Sequence, residues 1–187
     1  MKKLLFTFII LTTNLVTSQH LNQETFQLNI EKSVINWKGT YAFQFSEHKG
    51  TVNFSHGILE AFNGKIVGGY FEIDMTSILY EDGRSDTGPV EHLMNSDFFY
   101  VKKFPKAQLK VNTVTYFEQD NLHKMEGDLT IKGISHPIEF WATANAEDRS
   151  LKTRFKIDRR DWGITYNHKL KNNAISNAIE FEVELLF

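Results

Sequence analysis

The stretch Ile179-Glu180-Phe181-Glu182-Val183-Glu184-Leu185-Leu186-Phe187 decides the fold. Ile179, Phe181, Val183, Leu185 and Phe187 alternate with Glu180, Glu182 and Glu184, so an extended chain here has one apolar and one acidic side. Successive strand side chains point to opposite faces, and a period of two over this length reads as a half-buried strand. The same period recurs upstream. Leu151, Phe155 and Ile157 oppose Lys152, Arg154, Lys156 and Asp158, and Ile138, Phe140, Ala142 and Ala144 share one face of the strand before them. Met125, Leu129 and Ile131 alternate with Glu126, Asp128, Thr130 and Lys132, as Ala107, Leu109 and Val111 do with Gln108, Lys110 and Asn112. Val67, Phe71, Ile73 and Met75 lie opposite Glu72 and Asp74, and Gly68-Gly69 within that run marks a bend or bulge. Tyr41, Phe43 and Phe45 give another strand, and Phe26, Leu28 and Ile30 the first. Roughly eight strands without a fixed-period repeat predict one all-β domain, an antiparallel sandwich or a closed barrel.

One segment breaks the pattern. Asp86-Thr87-Gly88-Pro89 supplies a capping residue and a proline ahead of Val90-Glu91-His92-Leu93-Met94-Asn95, which predicts one or two helical turns. Ser96-Asp97 offers a second cap before Phe98-Phe99, and Lys103-Phe104-Pro105 returns the chain to extended geometry. A single helical excursion around residues 87–99 therefore interrupts the strands.

Composition narrows the function. The 187 residues include 16 Phe against 6 Tyr and 3 Trp, a large amount of purely apolar ring to hide. A net charge of -2 gives no basic footprint for nucleic acid. The absence of cysteine excludes disulfides, thiolate nucleophiles and thiolate metal sites. At the N-terminus Met1-Lys2-Lys3 precedes the apolar run Leu4–Leu11, and Val16-Thr17-Ser18 has small residues where a signal peptidase cuts. This predicts a secretory signal peptide over residues 1–18 and a domain over 19–187, periplasmic or secreted after cleavage. The apolar run is too short to span a bilayer, so stable membrane insertion is not expected.

The candidate chemistry is sparse. His48 and His56 are separated by an even number of residues, which on one uninterrupted strand would put both on one face, but no third ligand accompanies them and no metal is expected. His92 lacks a nucleophile partner, no phosphate-cradling loop occurs, and neither a cofactor nor a catalytic residue is predicted. Asp158-Arg159-Arg160-Asp161 reads first as a solvated turn with internal ion pairs; in the alternative, Arg159 or Arg160 meets a ligand head group. Phe98-Phe99, beside Leu93 and Met94, reads as a plug at one end of the fold or as a lid over a cavity.

Three longer stretches carry a family resemblance: His92-Leu93-Met94-Asn95-Ser96-Asp97-Phe98-Phe99-Tyr100-Val101-Lys102-Lys103-Phe104-Pro105, Gly127-Asp128-Leu129-Thr130-Ile131-Lys132-Gly133, and Phe155-Lys156-Ile157-Asp158-Arg159-Arg160-Asp161-Trp162-Gly163-Ile164. With Ser33–Trp37, His48-Lys49-Gly50 and Gly69–Ile78, they resemble the YceI-like family of exported lipid- and polyisoprenoid-binding proteins in the expected order. His136 stands where the family usually has a small polar residue before proline. The resemblance implies an eight-stranded antiparallel lipocalin-like barrel whose interior holds a long apolar chain, such as an isoprenoid quinone, a polyprenyl lipid or another lipid. Under it, the inward residues Phe43, Phe45, Phe71, Ile73, Met75, Phe140, Phe155, Ile157 and Phe181 become the ligand lining, joined at one end by Leu93, Phe98, Phe99 and Trp162. The expected partner is a hydrophobic or amphiphilic small molecule, with a homodimer left open. Two rival readings are an outer-membrane barrel, which would invert the alternation and put the apolar faces toward lipid, and an enzyme acting on a lipid-like substrate.

Overall fold

The computed structural model describes residues 22–41, 47–165 and 175–187; the N-terminal segment read as a signal peptide, Phe43 and Phe45 lie outside them. The strands are β1 (Gln23–Gln27), β2 (Val34–Tyr41), β3 (Glu47–Phe62), β4 (Lys65–Tyr80), β5 (Lys106–Phe117), β6 (Leu122–Ile131), β7 (Ile134–Asn145), β8 (Ser150–Asp158) and β9 (Ile175–Leu186). A helix, α1 (Gly88–Met94), falls between β4 and β5, and one 3-10 turn (Arg159–Trp162) follows β8. The order β3-β2-β9-β8-β7-β6-β5-β4 returns to β3 through the β3–β4 ladder, closing an antiparallel ring of eight strand positions.

The ninth strand does not add a position. β1 pairs with the far half of β3 (Gln23↔Phe62 to Gln27↔Ile58) along the edge whose near half takes β2 (Ile35↔Val52 to Thr40↔Glu47). Both are halves of one broken strand. The break is a turn held by side chains: Asn29 Oδ1 accepts from the Lys32 amide at 3.2 Å, and the Ser33 hydroxyl accepts from the Leu186 amide at 3.0 Å. Ile30, read from its spacing as an inward strand residue, sits in this turn and is exposed.

Bulges decide which residues of β3 and β4 reach the interior. The ladder slips between Glu60↔Gly68 and Ala61↔Ile66, which leaves Val67 on the outside rather than on the face of Phe71, while the bend expected at Gly68-Gly69 is present. Between Asn53↔Asp74 and Thr51↔Leu79 the β4 side carries the extra residues. Asp74 Oδ1 accepts from the amide and hydroxyl of Thr76 at 2.9 and 2.6 Å, and Ser77 Oγ accepts from the Asn53 amide at 2.8 Å. This side-chain scaffold replaces the interrupted ladder, and Met75 and Ile78 are both buried. Two tight hairpins, at Asn63-Gly64 (φ 50° and 74°) and Lys132-Gly133 (φ 53° and 73°), have the paired positive φ of type I′ turns.

Apart from further slips between Val111 and Thr113 on β5 and between Gly39 and Tyr41 on β2, the period of two holds elsewhere. Ile35 and Trp37, Ala107 and Val111, Met125 and Leu129, Phe140 and Ala142, Leu151 and Ile157, and Ile179, Val183 and Leu185 are all buried inside the ring. Their neighbours form a charged exterior. Glu180 meets Lys38 at 3.3 Å and Lys156 at 3.1 Å and also pairs with Arg154. Burial works to raise the Glu180 carboxyl, but hydrogen bonds from Arg154, Lys156 and Lys38 outweigh it and bring its pKa down to about 2. A depressed carboxylate stabilises the fold above its unfolded value near 4.3, and that contribution disappears as pH falls through about 2. Glu180→Gln should therefore lower stability by about 1 kcal/mol at pH 7, the screened value for pairs with exposed cations. Denaturant midpoints of the two proteins should converge by pH 2; an undiminished difference there would exclude this ion-pair origin.

One seam of the ring is short. β7 and β8 pair only from Ala142↔Thr153 to Asn145↔Ser150. Beyond Ala142 the Thr153 hydroxyl donates to the Trp141 carbonyl at 2.7 Å, and inside the barrel Phe140 stacks on Phe155 with centroids 5.2 Å apart.

Candidate functional site: an apolar cavity open at one end

Among the described residues, inward side chains do not fill the ring. They surround a cavity of about 370 Å³. One wall is an aromatic ladder across β7, β8 and β9, in which Phe140 stacks on Phe155 at 5.2 Å and Phe155 meets Phe181 at a tilt at 5.5 Å. Phe155 and Phe181 face each other in register and are only half-buried, because they border open space rather than packed neighbours. The opposite wall is Phe54, Phe71, Ile73, Met75 and Ile78 of β3 and β4, and the deep end is reached by Leu59, Leu151 and Leu185.

Among the described residues, the mouth is bordered by the ends of β2 and β3 and by α1. Gly39, Thr40 and His48 line one side, and Pro89, His92 and Leu93 the other. Thr87 caps α1 by accepting from the Val90 amide at 3.4 Å, Pro89 occupies the first turn, and Val90 is completely buried. Asn95 and the positive φ of Tyr100 (50°) then turn the chain so that Phe98 and Phe99, in edge contact at 4.9 Å, enter the end of the barrel. The helix is thus pinned over the opening as a partial cover.

Of the residues expected to line the interior, Phe71, Ile73, Met75, Leu93, Phe98, Phe99, Phe140, Phe155 and Phe181 border the cavity. Ile157 and Trp162 are buried without bordering it. Trp162 instead seals the end of the barrel: its indole Nε1 donates to the Leu129 carbonyl at 2.9 Å and its ring meets His136 edge-on at 5.5 Å. The Asp158–Asp161 cluster divides. Arg159 is 1% exposed, donates from Nη1 to the Ile164 carbonyl at 2.6 Å and from Nε to the Ser176 carbonyl at 3.2 Å, and stands over the Phe98 ring. Arg160 is solvent-facing and hydrogen-bonded to Asp158 at 2.9 Å, which holds that carboxyl down at about 2. Neither arginine borders the cavity.

Among the described residues, the polar side chains that border it are His48, His92, Thr40 and Thr153. His48 Nδ1 lies 3.2 Å from the Tyr80 hydroxyl, and burial pushes its pKa down against the pull of Glu81, favouring the neutral ring. His92 Nδ1 is 3.9 Å from Asp97, and its ring rests on Phe98 at 5.8 Å. His56, paired with His48 by spacing alone, is on the exposed outer face against Tyr70. A register slip at Phe54/His56 moves it there, so the even separation does not place both imidazoles on one face. No group of three or more potential metal ligands occurs among the described residues.

Comparison with known proteins gives the same fold. BcnA of Burkholderia cenocepacia superposes with a TM-score of 0.71 at 16% identity, covering 86% of this chain and 99% of that one. A UPF0312 protein of Pseudomonas putida strain W619 is 36% identical over 59 residues, which are 32% of this chain and 30% of the relative. A UPF0312 protein of Staphylococcus aureus strain N315 is 31% identical over 107 residues, 51% of this chain and 59% of the relative. The alignments thus span under a third and about three fifths of those curated relatives. The family model for the YceI-like domain matches residues 26–187, which takes in β2 to β9 and the end of β1. By that match the chain belongs to the YceI-like domain family.

Proposed function

We propose that this protein is an exported carrier that holds a hydrophobic or amphiphilic long-chain molecule, such as a polyisoprenoid, an isoprenoid quinone or another lipid, inside the barrel. One observation carries the reading: the interior is a cavity of about 370 Å³ that the described residues line with mainly apolar side chains, with His48, His92 and Thr40 at its mouth. It is more than twice the size of an engineered cavity of about 150 Å³ that stays dry and binds benzene. Two to three isoprene units fit that scale, and at about 0.8 kcal/mol per carbon group their gross burial is on the order of 8 to 12 kcal/mol. Association costs reduce this toward the roughly -8 kcal/mol of micromolar binding. The remainder of a long tail adds little, so selection for tail length should be loose. The head group would meet His48, His92 and Thr40 rather than the two arginines of the 3-10 turn.

The direction of the alternation favours a container over a membrane-spanning barrel. Spanning barrels turn apolar side chains outward and polar ones inward, whereas here Lys38, Lys152, Arg154 and Lys156 pair with glutamates on the outside. Export rests on the sequence of residues 1–18. The protein should be isolated from its own host and characterised by native mass spectrometry and organic extraction, with N-terminal sequencing. The expected result is an adduct of lipid-like mass that extraction releases, on a chain beginning at Gln19. A homogeneous ligand-free mass would count against the carrier reading, and an intact Met1 against export.

A further inference from the structure

A second cavity, of about 360 Å³, lies on the outside of the barrel across β7, β8, β9 and β2. Ala142, Thr153, Val183 and Ile35 point inward, so their neighbours Trp141, Arg154, Glu182 and Asn36 point outward and form its walls. Trp141 is 43% exposed and leans on the equally exposed Phe117 at 5.3 Å, while Trp37 and Trp162 are 7% and 1% exposed. An indole held at the surface by a second ring has not been used for the core. The opposite wall is polar. Glu184 is paired with Lys152 at 2.9 Å. Arg154 faces Glu182 in register but turns its guanidinium to Glu180. Among the described residues no side chain pairs with the Glu182 carboxylate, and Asn36 stands directly opposite it on β2.

We propose that this outer groove, which shares only Thr153 and Val183 with the described lining of the interior cavity, is a saccharide-binding site. A pyranose ring has one face of C–H groups, which suits a fixed, exposed indole, and an equatorial rim of hydroxyls, which suits a carboxylate and a carboxamide whose hydrogen-bonding capacity is available. The charges of the groove decide between ligand classes. Lys152 and Arg154 balance Glu182 and Glu184, so neither a cation nor an anion is favoured, and a neutral polyhydroxylated ligand fits. This inference does not depend on what fills the interior.

Trp141 provides the test, since it is the only strongly exposed tryptophan of the three. Acrylamide quenching of the full domain is measured against increasing cellotetraose, maltotetraose and chitotetraose, with choline as a cationic control. At least one saccharide should protect the exposed indole saturably, lowering the quenching constant about twofold, with half-saturation in the millimolar range. Glu182→Gln and Asn36→Ala, both outward-facing, should each raise that half-saturation several-fold with an unchanged thermal midpoint. No protection by any of the three saccharides, protection by choline alone, or unaltered half-saturation in both variants would overturn the proposal.

Discussion

Phe181→Glu should reduce uptake of an apolar probe by at least about a hundredfold at pH 7, a loss of roughly 3 kcal/mol of binding. The side chain borders the cavity and lies tilted against Phe155 with ring centroids 5.5 Å apart, so the change places a carboxylate at the β9 end of the aromatic ladder. A carboxylate in apolar surroundings is disfavoured in its charged form, and its pKa rises. The sign of the pH dependence follows. Uptake by the variant should recover in part as pH falls below that raised value, where the new side chain is neutral, while the parent protein shows no matching change. Loss of the phenyl packing should also lower stability by up to about 3–5 kcal/mol. Glu139→Gln supplies the outward-facing control on β7: its carboxylate is exposed and bound to Lys124 at 2.8 Å, so both uptake and stability should stay within about 0.5 kcal/mol of the parent. Fluorescence titration with an apolar probe, alongside urea denaturation, measures both. Equal tolerance of the two substitutions would defeat the assignment of faces.

Trp162→Ala should cost about 3–5 kcal/mol of stability, the range for truncating a fully buried tryptophan. The ring is 1% exposed, and its indole satisfies the Leu129 carbonyl at the end of β6. It is presented by a 3-10 turn that Asp158 caps at its start and that Gly163, with φ 67°, ends. Trp162→Phe separates the two contributions. The phenyl retains most of the packing but leaves the Leu129 carbonyl without its donor, which predicts a smaller loss of about 1–3 kcal/mol. If the alanine variant unfolded at the same urea concentration as the parent, Trp162 would not be the end seal described here.

The alternation at Ile179–Phe187 was enough to place apolar and acidic sides correctly, because β9 lies between β2 and β8 with no register slip from Val34↔Glu184 to Gly39↔Ile179 or from Ser150↔Leu186 to Asp158↔Ala178. β6 to β8 were legible for the same reason, as was β5 up to Val111, where its ladder with β6 slips. Sequence reading failed where the backbone changes phase. Val67, Ile30 and His56 each have the spacing of an inward or same-face residue, and each is moved outward by a bulge or a turn whose cause is local hydrogen bonding. Asp74, Thr76 and Ser77 are ordinary polar residues in sequence, and only their mutual hydrogen bonds show that they scaffold a bulge.

The site was legible in part. The Phe-rich lining followed from periodicity, since inward phenyls on successive antiparallel strands must meet, as Phe140, Phe155 and Phe181 do. The mouth did not follow. His48 and His92 are far apart in sequence and are brought to one opening by ring closure and by the position of α1. The arginines of the 3-10 turn stood out as a charge cluster, yet the backbone carbonyls of Ile164 and Ser176 that engage Arg159 carry no sequence signal.

An apolar chain held inside the barrel can be located crystallographically. The most direct measurement is a crystal structure of the protein with a long-chain alcohol brominated at its terminal carbon, read by anomalous scattering. The account predicts a bromine peak inside the barrel, deep to Phe155 and Phe181 and near Leu59, Leu151 and Leu185, with the hydroxyl end toward His48 and His92. Bromine found only on the outer surface, or an interior that stays empty at saturating ligand, would contradict it.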